Sequence, residues 1–477
     1  MKQLLFIGLC LILYTSTMIQ AQPDGFPFGM GIPDDPDYAY EELPVKARLT
    51  EGNYRSVDSR ASLEKYAPTP QSQGLYGTCT SWAAGFCART ILEAQRYGWT
   101  DKSRINANAF SQGFAYRLSS QKNDCNGTYI SECLKKMRDV GIVKQNSYPE
   151  DCPQTAITKE LYQEASPYKI KGFATLWNSN QPAKAKQKVQ LLKKSVGEGH
   201  PVIIAMYIPM SFCYNKGEVW ARKSTDVANS NQGHQHNRHA MCLIGYDDEK
   251  FGGAFRIQNS WGPNWADKGY IWVKYEDAAE FIYQAVEMFK LPAVRQQQVV
   301  ELAGSLRLVE NTGQVMAGTW QGNSYQLNKA YRSGTRFRLY LNNQQAAYVY
   351  AIGSDLSNKV YQVFPHAPGV SPVLNYSKNS VPIPNQDQHI RLDGNTGTDF
   401  LCVLYSEKPL NIAQIKQDIA QQSNRYTFQQ KVERVLANDL VRRQEVKYDQ
   451  SGTRMGFSAR SNDKPVAALF VHWEHID

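Results

Sequence analysis

Apolar positions along this chain fall into three patterns with different periods. From Cys79 onward Trp82, Phe86 and Ile91 recur near the helical spacing, with small alanines between them and Gly98 beyond, which predicts an amphipathic helix that opens on Cys79. Further on, RHAMCLIGYDDE is a continuous apolar run that starts at His239 and ends at Gly245 and Tyr246, as a buried strand does. A second such strand, in FRIQNSWGPNWADKGYIWVKY, delivers Asn259 followed by Ser260, Trp261 and Gly262. After Pro292 the period shortens: RFRLYL, AAYVYAIG, VYQVF, IRLDG and DFLCVLYS are short, alternating, aromatic-rich segments separated by Gly, Asn and Pro, which predicts a β-sandwich or barrel. The helical runs IAQIKQDIAQQ and FQQKVERVLAN and the strand AALFVHW complete the chain.

Length and composition fit more than one folded unit. The chain has 477 residues, 42% apolar and 12% aromatic, beyond the usual size of a single core. Met1 to Ala21 has Lys2 as its charged start, an apolar run from Leu4 to Tyr14 and Ile19-Gln20-Ala21 as a cleavage site, the pattern of a signal peptide. Cys10, preceded by Leu9, does not sit in a lipoprotein box, and no later segment reaches the eighteen or more apolar residues of a spanning helix. A secreted, periplasmic or cell-surface product is expected. Residues 22–56, rich in proline, glycine and acid, read as a linker or short arm. The net charge of +9 is dispersed, with no basic run or aromatic-interleaved patch, so nucleic acid is not an expected partner.

Chemistry enters through Cys79. A cysteine in a helix is usually a core residue, but the positive end of a helix dipole lowers a thiol pKa and favours the nucleophilic thiolate. Such a nucleophile needs a base, and the base needs a group that holds its ring. Cys79, His239 and Asn259 supply these three roles. With Gln73 upstream in QGLYGTCTSWAAGF, the three motifs resemble the papain family of cysteine peptidases in kind and order. That resemblance implies Cys79 as nucleophile, paired as thiolate with a protonated His239. It also implies Asn259 as the orienting residue, Gln73 as oxyanion donor beside the Cys79 backbone N–H, and Trp261 as the indole shielding the pair. The implied fold is α+β and papain-like: a helical lobe carrying Cys79 and a sheet lobe carrying His239 and Asn259, over residues 57–292. A C-terminal all-β sandwich-like domain follows at 299–410, with helices and a final strand, 411–477, packing on it. The implied reaction is peptide-bond hydrolysis through a thioester, on a protein or peptide substrate. Nothing in it calls for a metal or cofactor.

The segment NDCNGTYISECLKKM resembles the family's loop that pairs with extended substrate. By that match Asn126, Gly127 and Thr128 line the non-primed side, Tyr129 approaches the second pocket, whose base falls near residues 285–288, and Gly77 and Trp261 border the substrate. Three positions depart from the family: Tyr76 replaces a cysteine, Thr80 an aromatic residue and Thr128 a glycine, so that either a side chain narrows the cleft or the loop runs differently. Arg238 precedes the base. The resemblance also makes Cys125 and Cys152 the best disulfide pair, while Cys87 and Cys242 read as buried thiols.

Other features admit competing readings. His234, His236 and His239 form an H-x-H-x-x-H cluster, but the spacing matches no zinc signature, and a solvated loop beside the cleft is the expectation. His200, before an apolar run, reads as structural. Retention of all four site positions favours an enzyme over a binding protein on the same scaffold, and an acyl transferase shares the thioester. The C-terminal region, through YRSGTRFRLYLNN, AYVYAIG and DGNTGTDFLCVLYSEKPL, resembles a bacterial domain of unknown function (DUF4384-like). It shows no catalytic cluster, so contact with a cell surface or a protein partner is its expected role.

Overall fold

The computed structural model describes residues 43–54, 56–120, 122, 124–149, 152, 155–179, 181–228, 238–289, 291, 300–355, 359–376, 379–451 and 454–477. The expected signal segment, most of the expected arm, and His234 and His236 lie outside these residues.

The Cys79 helix runs continuously through Cys79–Ser81, Trp82–Arg89 and Thr90–Tyr97, its middle part wound in wider π-type turns. Gly98 ends it with φ +69°, a left-handed conformation in which its N–H caps the Ala94 and Gln95 carbonyls. All residues from Cys79 to Ala94 are buried, so this helix is a central rod of the lobe and not an amphipathic surface helix. Side chains such as Phe86 and Ile91 each contribute about 2 kcal/mol by leaving water. Helices Gln112–Ser119 and Ile130–Asp139 pack around it.

Against this helical layer stands a sheet of β1 (Arg60–Ser62), β2 (Phe173–Trp177), β3 (Val202–Tyr207), β4 (Arg238–Asp247), β5 (Ala254–Gln258), β6 (Tyr270–Lys274) and β7 (Ile282–Met288). Its order is β2-β7-β3-β4-β5-β6, with β1 on the far end of β4. Strands β3, β4 and β5 are buried almost throughout, which explains why they read as apolar runs without alternation.

The C-terminal region forms two sheets face to face. One runs Val360–Phe364, Ala347–Ser354, Gly397–Ser406, Val466–Ile476, Tyr325–Leu327, Gly318–Trp320; the other runs Ser380–Ile383, Arg336–Asn343, Val300–Glu310, Met455–Ser461, Val446–Tyr448. Strand Arg336–Asn343 alternates between buried and less buried positions, the period the sequence displays. Helices Ile412–Gln421 and Phe428–Val435 cover the outer face of the first sheet through Ile419, Phe428 and Val432.

The two halves are joined by the chain segment just before β1. Residues 43–49, expected to be part of a linker or arm, are mostly buried. Val45 bridges both Thr175 of β2 and Val370 of the C-terminal region, and its N–H donates to the Gly369 carbonyl at 2.7 Å. Beside it Glu287 of β7, fully buried, accepts from Lys46 (2.6 Å), Ser195 Oγ (2.6 Å) and Asn375 Nδ2 (2.8 Å), with His200 Nδ1 at 3.6 Å. Burial alone would raise this carboxyl, but Lys46 and His200 hold it well below the usual carboxylate range. Lys46 in turn lies 3.7 Å from the centroid of the Tyr376 ring. His200 thus serves the junction, as its structural reading anticipated.

Candidate active site

Antiparallel register brings His239 and Asn259 together. Cys242 of β4 pairs with Gln258 of β5, so continuing the ladder sets Asn259 opposite Met241, on the strand face that His239 shares two residues away. The His239 Nε2 and Asn259 Oδ1 atoms are 2.7 Å apart. Asn259 Oδ1 also accepts from the Ser260 N–H at 2.8 Å, which fixes that atom as an acceptor. The ring therefore carries its proton on Nε2, leaving Nδ1 as a lone pair, and Nδ1 is buried with no hydrogen-bond partner among the described residues. Cys79 Sγ accepts from the Ala240 N–H at 3.4 Å, so the thiol lies beside the residue that follows His239. Trp261 stacks on the imidazole, ring centroids 4.5 Å apart, and is backed by Trp265 and Phe212. Burial pushes the His239 imidazole down to about 4, and the Asn259 hydrogen bond opposes this only in part.

Gln73 is reached from the same turn. Its N–H donates to the Ser260 carbonyl at 2.8 Å, its Oε1 accepts from Ser260 Oγ at 2.5 Å, and its Nε2 donates to the Tyr76 carbonyl at 2.7 Å. Gly262 closes the turn with φ +82°, where an added Cβ would come within 3.3 Å of Ser72. Ser260 thus orients the Gln73 amide, a role that the N-S-W-G motif contained without advertising it.

The remaining expected site residues form one wall. Gly77 N donates to the Cys125 carbonyl at 2.6 Å, and Cys125 is disulfide-bonded to Cys152, the expected pair. Asn126 is exposed, Gly127 O lies 3.5 Å from the Tyr116 hydroxyl, and Tyr129 precedes helix Ile130–Asp139. Thr128 is buried and donates to the Ser119 carbonyl at 3.1 Å, so its side chain turns away from solvent. The carbonyl of Thr128 accepts from Thr80 Oγ1 at 3.0 Å. Two departures from the family are therefore directly connected. Arg238 points to the aromatic pair Tyr207 and Tyr283, 5.9 and 6.0 Å from their ring centroids. Cys87 and Cys242 are buried and unbridged.

A helical layer packed on this antiparallel sheet, with Cys79 and His239 on facing elements, defines a papain-like α+β fold followed by a β-rich region. Residues 55–288 match the family described as papain family cysteine protease, and residues 330–409 match a domain of unknown function, DUF4384. Residues 55–288 are thus similar to the papain family, and a segment similar to DUF4384 follows them. Among relatives, cathepsin K of Mus musculus is 26% identical over 250 residues, 51% of this chain and 66% of that protein. Cysteine proteinase 3 of Entamoeba histolytica is 25% identical over 229 residues, 47% of this chain and 63% of the relative. These matches span less than two thirds of the relatives' own length. Among solved structures, xylellain, a cysteine protease from Xylella fastidiosa, aligns with TM-score 0.44 and 19% identity, covering 57% of this chain and 99% of its own.

Proposed function

We propose that this protein is a secreted cysteine endopeptidase that hydrolyses peptide bonds through a Cys79 thioester. The observation that carries the reading is the oriented imidazole: Asn259 Oδ1 at 2.7 Å from Nε2 dedicates Nδ1 to the thiol side of the ring. His239 Nδ1 takes the Cys79 proton as Sγ bonds the peptide carbonyl carbon. Gln73 Nε2 and the Cys79 N–H donate to the oxyanion that forms, in a site buried enough to make such bonds strong. Collapse breaks the C–N bond, and His239 returns the proton to the leaving amine. Water then attacks the thioester, giving its proton to His239, and the thiol is regenerated as the acid leaves. Burial of His239 opposes the imidazolium form and so works against the thiolate–imidazolium pair that the family resemblance implies. Export is supported by the signal-like segment at 1–21 and by the Cys125–Cys152 bridge.

A cysteine-directed epoxide supplies the test. Mass analysis should find the adduct on Cys79, and Cys79→Ala should lower kcat/KM on an unstructured peptide substrate by on the order of 10⁶. Labelling elsewhere, or cleavage unchanged in Cys79→Ala, would falsify the assignment.

A further inference from the structure

The C-terminal sandwich holds a cavity of about 250 Å³ where its two sheets part. Its walls are Phe337 from one sheet and Phe400, Leu401 and Trp473 from the other. Three carboxylates, Asp355, Asp393 and Asp399, converge on it against one exposed cation, Arg391. Asp399 stands opposite Trp473 in the ladder and lies 3.1 Å from His475 Nδ1. Burial raises its carboxyl; His475 opposes this, while Asp393 and Asp355 add to it, so the three acids sense one another's charge.

His475 Nε2 shares a 3.0 Å hydrogen bond with Ser333 Oγ, while its Nδ1 stands 3.1 Å from Asp399 without hydrogen-bond geometry, so the three residues adjoin without the hydrogen-bonded connectivity of a nucleophile triad. Hydrolysis is not the reading. The N–H groups of Ser333, Gly334 and Thr335 donate to the carbonyls of Ile476, Leu392 and Arg332, so none of the three amides is available as an oxyanion donor. The Ser333–His475 hydrogen bond instead steadies the wall from which Asp399 faces the cavity.

An aromatic-lined cavity of this size holds one side chain and little more, below the range usual for whole small-molecule ligands. Acid at the mouth and aromatic faces within select a cation carried on an apolar stem, because the carboxylates attract the charge while the rings contact both stem and cation. We propose that this cavity binds an alkylammonium group on an apolar stem, as presented by a lysine side chain of another polypeptide. The site is separate from the Cys79 cleft and makes the DUF4384 domain a recognition module independent of the peptidase chemistry.

The full chain carrying Cys79→Ala is titrated calorimetrically with a glycine-flanked lysine pentapeptide, with hexylamine, and with the same pentapeptide carrying Nε-acetyl-lysine. Binding of the lysine peptide, lost on acetylation and about tenfold weaker in Asp355→Asn/Asp393→Asn, is the expected result. Tighter binding of the peptide than of hexylamine assigns the source as polypeptide; equal binding assigns a free amine and supports the same chemistry. Equal affinity for the acetylated peptide, binding unchanged in the double variant, or no binding at all overturns the proposal. Asp393 lies on an exposed turn and its replacement by Asn keeps a side-chain oxygen, so Asp393→Asn alone, with an unchanged melting temperature, serves if the double variant fails to fold.

Discussion

The His239 site and the Glu287 junction each bury an ionisable side chain completely, and they resolve the cost in opposite ways. Glu287 remains charged because Lys46 sits 2.6 Å away and Ser195 and Asn375 donate to its oxygens. Among the described residues His239 has one neutral hydrogen-bond partner, Asn259, and one nitrogen without a partner, so burial drives it to the neutral form. A saturated charge holds parts together, whereas an unsaturated one is available for a proton. The contrast separates an architectural buried ion from a chemically poised one within a single sheet, on strands β7 and β4.

If that distinction is right, the junction should fail in stability and the cleft in rate. Glu287→Ala leaves Lys46 buried without its partner and should cost about 3–5 kcal/mol of stability, read as a lower urea midpoint. Lys46→Met/Glu287→Met should recover much of that loss, since neither charge then needs solvation. A double variant no more stable than the single one would mean that the junction depends on the ion pair itself. Gln73→Ala should instead reduce kcat by about 10²–10³ as one oxyanion donor is lost. Loss of KM alone, with kcat intact, would remove Gln73 from that role.

The buried imidazole makes a signed prediction. His239 is held near 4 in the folded chain, against an unfolded value of about 6.5. Between these values the unfolded chain binds a proton that the folded chain does not, so stability is full above about pH 6.5 and falls as pH drops toward about 4. The loss should reach about 3 kcal/mol in Cys79→Ala, relative to Cys79→Ala/His239→Gln, by chemical denaturation across that window. The chain with Cys79 intact should show the same slope. A flat profile in Cys79→Ala would mean that the buried ring still takes a proton in the folded chain, and burial would not hold it neutral.

What could be read in the sequence was whatever is carried by local pattern. Cys79, His239 and Asn259 each stand at the edge of an apolar run, and strand register alone brings the latter two together. Alternation in RFRLYLNN likewise announces the sandwich. The junction was illegible because Lys46, Ser195, His200, Glu287 and Asn375 lie on separate segments, and none belongs to a motif. Residues 43–49 read as part of a linker or arm for the same reason: their burial comes from contacts with both halves of the molecule, not from their own period. The helix from Cys79 read as amphipathic, yet its polar positions Thr80, Ser81, Arg89 and Thr90 are buried too, through partners that spacing does not disclose.

Thr80 places the contrast between saturated and unsaturated groups inside the cleft itself. Its hydroxyl donates to the Thr128 carbonyl, and the Thr128 hydroxyl donates to Ser119, so the residue beside the nucleophile fixes the wall against which substrate would lie. This is a satisfied chain with no free proton to move, so by the logic above it should govern geometry and not chemistry. Thr80→Val removes one donor from a buried carbonyl, at about 1 kcal/mol, and should raise KM for peptides about fivefold with kcat nearly unchanged. Thr80→Val/Thr128→Val should cost less than the sum of the two single changes, because both hydroxyls restrain the backbone at Thr128. Full additivity would show that the two threonines act separately, and a drop in kcat would draw Thr80 into the reacting site.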